Sequence, residues 1–234
     1  MHIFGIRIRV SPSWFYIGVF FTLDMAGVLI GKRVPEGTAW LCGVAYALLF
    51  GASILAHELG HSRVFQHYGG HIEEIRLWAL GGIASMAAEP EEPRQEFWVS
   101  IAGPLVNISL AAVFSGVIFV ANWFDAPYYV WYVARRLMIL NLVVGLFNLV
   151  PFFPLDGGHV LRSLLWERTN DWEKASRTAA AVTIGTGFVA KWTCLGLFIR
   201  TFQLRWAWYA FMAVIVSGWA KQYVVWIRTR EAQG

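Results

Sequence analysis

The stretch Ala56-His57-Glu58-Leu59-Gly60-His61 ends an apolar run, residues 39–55, that contains no charged residue. In a helix, His57 and His61 are four positions apart and project from one face, one turn from each other. Two neutral imidazoles in this arrangement can bind a zinc ion, and Glu58 beside them can take a proton from a water molecule. The stretch therefore predicts a zinc site on a long helix.

The composition places this site in a membrane protein. Of the 234 residues, 57% are hydrophobic, 16% are aromatic and only 15% are charged. A soluble domain carries about 25% charged residues, and uncharged runs of about 20 residues are typical of transmembrane helices. The basic residues behind the net charge of +4 are scattered, so no nucleic-acid partner is expected. The two cysteines, Cys42 and Cys194, lie in separate apolar runs and are expected to be buried thiols.

The predicted fold class is an all-α multi-pass membrane protein with six transmembrane helices and a small membrane-associated β-element. Residues 3–10 alternate apolar side chains with Gly or Arg, which is the period of a half-buried strand. After this N-terminal strand, the predicted spans are residues 14–30, 39–68, 97–124, 128–150, 178–199 and 206–227. We expect one membrane domain over residues 1–234.

Two apolar segments do not fit a helical span. Residues 72–78 form a predicted strand, and residues 79–88 are interrupted by two glycines, which favours a re-entrant or interfacial segment after the second helix. Residues 148–159 are too apolar for a soluble loop and too rich in Pro and Gly for a helix, and such backbone is tolerated where it lines a protein cavity. This last segment contains Asp156. Because a catalytic zinc usually takes three protein ligands, Asp156 is the best third ligand.

Six spans place both termini on one side of the membrane, and the basic residues predict which side. On the terminal side lie Arg7, Arg9, Arg63, Arg76, Arg94, Arg162, Arg168, Lys174, Arg177, Lys221, Arg228 and Arg230. On the other side lie at most Lys32, Arg33, Arg135, Arg136, Arg200 and Arg205. The positive-inside rule then predicts a cell-membrane protein whose termini and active-site opening face the cytoplasm.

These motifs resemble those of the site-2 protease family of intramembrane zinc metalloproteases. The matching residues are His57 to His61 with Ser62, Ala102-Gly103-Pro104 with Asn107, and Asn148-x-x-Pro151-x-x-Pro154-Leu155-Asp156-Gly157. The resemblance implies one zinc ion bound by His57, His61 and Asp156, with Glu58 as the general base. It also implies regulated intramembrane proteolysis, in which a peptide bond within or near the transmembrane segment of a single-span protein is hydrolysed.

The resemblance also suggests how a substrate is held. A helical substrate must unwind to reach the metal, and residues 71–86 could bind it by strand addition. Asn148 and Asn107 are candidates to bind the unwound backbone or the oxyanion, and a hydrogen bond within the helix bundle is the alternative for each. His159, three residues from Asp156, could support the metal ligands, and direct binding of the metal by His159 is not expected. The chain resembles a short form of the family, without a PDZ or CBS domain.

Two other functions stay open. A membrane zinc protease of a different family would take a later Glu as its third ligand, but Glu167 and Glu173 lie in a stretch expected outside the membrane. A membrane scaffold or transporter without proteolytic activity would pair its polar residues with each other. Such a protein would not need an acid beside two histidines in an apolar helix.

Overall fold

The computed structural model describes residues 2–78, 81–86 and 90–231, which are mostly helical. Its elements are β1 (His2–Ile3), β2 (Ile6–Val10), α1 (Pro12–Gly31), α2 (Glu36–His67), β3 (Ile72–Trp78), β4 (Gly81–Met86), α3 (Pro93–Trp123), α4 (Tyr128–Asn148), α5 (Asp156–Thr169), α6 (Trp172–Thr201) and α7 (Leu204–Glu231). The chain divides into two compact units. The first is Met1–Pro90 with Ala102–Phe147, and the second is Glu91–Ile101 with Asn148–Gly234. A single membrane domain therefore stays a prediction.

Five of the described helices, α1, α2, α3, α4 and α6, are long and apolar enough to cross a bilayer. They cover the first five predicted spans. Helix α7 covers the sixth predicted span, and it is not among these five. The sixth crossing therefore also stays a prediction.

The first unit contains a four-stranded sheet in the order β1-β2-β3-β4. Strand β2 pairs parallel with β3, with Arg7 opposite Glu74, and the two outer pairings are antiparallel. Along β2 and β3, fully buried residues such as Ile6 and Ile75 have more exposed neighbours on either side, as the period of two predicted. On the exposed face, Arg76 donates to Glu74 over 2.7 Å and holds the pKa of that carboxyl below its ordinary value.

The predicted strands at residues 3–10 and 72–78 are thus confirmed, and residues 81–86 of the predicted re-entrant segment form strand β4. Residues 79, 80, 87 and 88 of that segment lie outside the described residues. The re-entrant path itself stays a prediction.

Ser11 joins the sheet to the first helix. Its backbone N–H donates to the Leu77 carbonyl over 2.8 Å, and its hydroxyl accepts the backbone N–H of Ser13 as the N-cap of α1. Pro12 occupies the first helical position, where the backbone N–H that proline lacks would have no hydrogen-bond partner within the helix.

An apolar core joins α1, α2 and α4 within the first unit. Its fully buried members include Met25, Leu29 and Tyr46. Helices α1 and α2 approach closely at Gly43, where a Cβ atom would lie 2.6 Å from the Thr22 carbonyl oxygen. A cluster of Phe153, Ala179 and Ala180 forms the corresponding core of the second unit.

Candidate metal centre

Helix α2 carries the two predicted histidine ligands on one face. His57 and His61 are buried, with 6% and 7% of their surfaces exposed, and their Nε2 atoms lie 3.1 Å apart. Two ligands of a tetrahedral zinc at about 2.05 Å from the ion are separated by roughly 3.3 Å. The two nitrogens therefore converge at a spacing that fits adjacent zinc ligands.

Glycines make room for the two imidazoles between α2 and α3. A Cβ atom on Gly103 would lie 2.7 Å from His57 Nε2 and would overlap the His61 ring. On α2, a Cβ atom on Gly60 would lie 3.1 Å from the Ala102 carbonyl oxygen and 2.9 Å from the Val106 side chain. The helices can therefore come close enough to enclose the imidazoles only because both positions lack a side chain.

We expect Gly103→Ala to prevent zinc binding, because the added methyl group occupies the space at the two Nε2 atoms. Gly116→Ala is the matched control, since it lies on the same helix and its Cβ atom would have no neighbour within 4 Å. Zinc content of the two purified variants, measured by mass spectrometry, checks this. Zinc in the Gly103 variant equal to that in the control would contradict it.

Asn107 lies directly beside the first histidine. Its Oδ1 is 2.5 Å from His57 Nδ1, and its Nδ2 donates to Asn141 Oδ1 of α4 over 2.9 Å. Helix α4 comes this close at Gly145, where a Cβ atom would lie 3.1 Å from the Pro104 carbonyl oxygen. Both ends of the Asn107 amide thus have partners inside the bundle, and its binding to substrate stays a prediction.

The Glu58 carboxyl group lies against strand β4. It is partly exposed, and a Cβ atom on Gly82 would lie 2.7 Å from Glu58 Oε1. The glycine backbone of β4 therefore borders the predicted general base directly. Any side chain at position 82 would displace this carboxyl group.

The second unit carries Asp156 and Asn148. Asp156 is the first residue of α5, and Asn148 is the last residue of α4. The turn before α5 is tight, since a Cβ atom on Gly157 would overlap the Leu149 and Val150 carbonyl groups. The helix can begin at Asp156 because glycine follows it.

A buried ion pair that the sequence did not predict holds α5 within this unit. Glu96 and Arg162 are 1% and 4% exposed, and Arg162 Nε donates to Glu96 Oε1 over 2.7 Å. Arg162 also donates to the Tyr223 hydroxyl, and its guanidinium lies 5.1 Å from the Trp172 ring centre. Removing one partner of such a pair costs about 3–5 kcal/mol, so the pair fixes the helix that begins at Asp156.

His159 belongs to the same cluster. Its Nδ1 lies 3.3 Å from Glu96 Oε1 and 3.2 Å from Arg162 Nη2. Its ring packs edge-on against Phe153, with 5.0 Å between ring centres. These contacts place His159 beside the buried Glu96–Arg162 pair, and its role at the metal stays a prediction.

Comparison with known proteins decides the family. The model of peptidase family M50 matches residues 45–136 and 114–191, a range that includes both histidines and Asp156. The chain belongs to peptidase family M50. Since a solved site-2 protease is among the structures that this chain resembles, the family predicted from the motifs is confirmed.

Individual relatives agree with the M50 assignment. The chain is 40% identical over 191 residues, 80% of its length, to a Synechocystis sp. protein whose name assigns it to the zinc metalloproteases, and covers 49% of that protein. It is also 37% identical over 155 residues to a zinc metalloprotease of Methanocaldococcus jannaschii. That match covers 66% of this chain and 43% of the relative. The chain thus spans about half the length of the curated relatives it matches.

The fold agrees as well. The structure of the site-2 protease from Methanocaldococcus jannaschii superposes with a TM-score of 0.58 and 28% sequence identity. The match covers 96% of this chain and 93% of the solved chain. The fold of this chain is therefore similar to that of a solved site-2 protease.

Proposed function

We propose that this M50 chain is an intramembrane zinc metalloendopeptidase that hydrolyses a peptide bond within or near a transmembrane segment of another membrane protein. One observation carries the proposal: two buried imidazole Nε2 atoms converge 3.1 Å apart on an apolar helix, with Glu58 next to them in the chain. A pair of buried histidines without a metal would have no need of an adjacent carboxylate at that depth.

The proposed ligands of one zinc ion are His57, His61 and Asp156. Two imidazoles and one carboxylate are a ligand set that catalytic zinc sites use, leaving a fourth position for water or substrate. When bound, zinc lowers the pKa of water to about 7 and polarises the scissile carbonyl. The room that Gly103 leaves at both Nε2 atoms supports this assignment.

Glu58 is the proposed general base. Its carboxylate takes a proton from the attacking water and passes it to the leaving amine. Asn148 and Asn107 are the proposed groups that bind the substrate backbone or the oxyanion. In the structure, the Asn107 amide bonds His57 and Asn141.

The proposed substrate is a single-span membrane protein that binds by strand addition. Its helix must unwind, because a helix keeps its peptide carbonyls in internal hydrogen bonds. Strand β4 lies last in the described order of the sheet and borders Glu58 at Gly82. A substrate segment that adds to β4 would bring its backbone next to the general base.

The proposed location is the cell membrane, with both termini and the active-site opening on the cytoplasmic side. The five apolar helices support a membrane protein. A sixth crossing by α7 would place the two termini on the same side. The predominance of basic residues on that side then favours the cytoplasm.

Removal of the metal tests this function. We expect the purified protein in lipid vesicles to cleave members of a panel of single-span substrates, to lose that activity when zinc is stripped with a chelator, and to regain it when zinc is returned. A soluble peptide panel under the same conditions is the control for contaminating proteases. Cleavage that persists in the stripped protein would contradict the proposal.

A further inference from the structure

We infer that a buried chain of hydrogen bonds from α4 to His57 orients this imidazole so that Nδ1 carries the hydrogen and Nε2 faces the metal. Asn107 and Asn141 are its positioning residues, and Ser53 supports them. All three are buried, at 1%, 0% and 3% exposure. The inference rests on the proposed zinc site, because it explains how one of its ligands is held.

At Asn141, the orientation of the side-chain amide is set by groups that can only accept a hydrogen bond. Asn141 Nδ2 donates to the backbone carbonyl of Leu137 over 2.9 Å. It also donates over 3.2 Å to the hydroxyl oxygen of Ser53, whose own hydrogen goes to the Leu49 carbonyl over 2.9 Å. A backbone carbonyl has no hydrogen to give. The Leu137 carbonyl and the Ser53 oxygen, whose hydrogen is already donated to Leu49, therefore hold the NH₂ side of the Asn141 amide toward themselves and its oxygen away from them.

The orientation of the Asn141 amide in turn fixes the orientation of the Asn107 amide. Asn141 Oδ1 accepts from Asn107 Nδ2 over 2.9 Å, which turns Asn107 Oδ1 toward His57 Nδ1 at 2.5 Å. A reversed Asn107 amide would place two oxygens against each other, and a reversed Asn141 amide would do the same at Leu137. A buried polar group left without a partner costs about 1–3 kcal/mol. This cost in free energy disfavours the reversed orientation of either amide.

The position of the Asn107 oxygen decides which nitrogen of His57, a proposed metal ligand, carries the hydrogen. Because Asn107 Oδ1 can only accept, it stabilises the form of His57 with hydrogen on Nδ1, and the lone pair is then on Nε2. Nε2 is the atom that lies 3.1 Å from the Nε2 atom of His61. The second group beside a metal-binding histidine typically contributes about 10- to 100-fold to metal affinity. Here that contribution depends on Asn141 of α4, which acts on His57 through Asn107.

Asn141→Leu tests the inference, with Asn107→Leu as the second variant. Zinc affinity is measured by competition with a coloured chelator, and we expect it to fall about tenfold in Asn141→Leu and about 10- to 100-fold in Asn107→Leu. The position of the His57 hydrogen is measured by nitrogen NMR on zinc-free, ¹⁵N-histidine protein at about pH 8.5, where imidazole is neutral. The His57 signal is identified by its loss in His57→Ala. We expect Nδ1–H in the wild type and a mixture of the two forms in both variants.

Met25→Ala is the matched control, because it opens the fully buried core of α1 without touching the chain of hydrogen bonds. We expect it to lower the melting temperature and to keep zinc affinity within twofold of wild type. Wild-type zinc affinity together with Nδ1–H in Asn141→Leu would overturn the inference, as would an equal loss of affinity in Met25→Ala. A wild-type protein that binds no zinc would instead overturn the proposed function, and the NMR measurement would still decide the inference.

Discussion

Glu58→Gln is expected to keep zinc and to lose nearly all proteolytic activity. Glutamine has the shape of glutamate but cannot take a proton from water, so only the proton transfer is removed. General acid–base catalysis typically contributes about 10²- to 10⁴-fold, and the cleavage rate should fall by that factor. Zinc should stay, because Glu58 is not a proposed ligand. Zinc content and the initial rate of substrate cleavage in vesicles measure the two effects separately.

The control for Glu58→Gln is Glu36→Gln, the same change in the exposed first turn of the same helix. It should leave both the zinc content and the rate unchanged. If Glu58→Gln cleaved at the wild-type rate, another group would be the base. If it lost its zinc as well, Glu58 would have to act as a ligand.

Asp156→Ala is expected to lose both zinc and activity. Removing one of three protein ligands should weaken zinc binding by more than the roughly 10- to 100-fold that changes beside a ligand cause. Asp156 also lies in the first turn of α5, where a negative charge stabilises a helix by about 0.3–1 kcal/mol. That contribution is small, and the buried Glu96–Arg162 pair remains. The melting temperature of the zinc-free variant should therefore stay close to that of the zinc-free wild type.

The comparison for Asp156→Ala is Asp125→Ala, an exposed acid in the turn after α3. This variant should bind zinc as the wild type does. Full zinc content and full activity in Asp156→Ala would show that the third ligand lies elsewhere, and the role carried over from the family to this position would be wrong.

The helix that carries the proposed histidine ligands could be predicted from sequence because its signal is local. The spacing of His57 and His61 fixes one helix face, and the absence of charge in residues 39–55 fixes an apolar environment. The same holds for the strands, where a period of two marked residues 3–10 and 72–78. Their pairing was not predictable, because β2 and β3 lie side by side although two transmembrane helices separate them in the chain.

The partners of the site residues were missed for a different reason. Asn141 and Ser53 lie within apolar spans and carry no motif, so only the packing of α2, α3 and α4 reveals that they orient Asn107. Arg162 lies in a stretch of mixed charge that was expected to be outside the membrane, and its burial against Glu96 depends on contacts between distant parts of the chain. A sequence pattern identifies groups that bind a metal more readily than groups that hold them in place.

Mapping the cut site tests most directly whether zinc-dependent hydrolysis takes place within or near a transmembrane segment of the substrate. The zinc-loaded protein is incubated with a single-span substrate in lipid vesicles, and the new termini of the products are identified by mass spectrometry. We predict that the cut lies within or near the transmembrane segment and is absent with Glu58→Gln. A cut far from the transmembrane segment, or one that Glu58→Gln makes equally well, would contradict the proposed function.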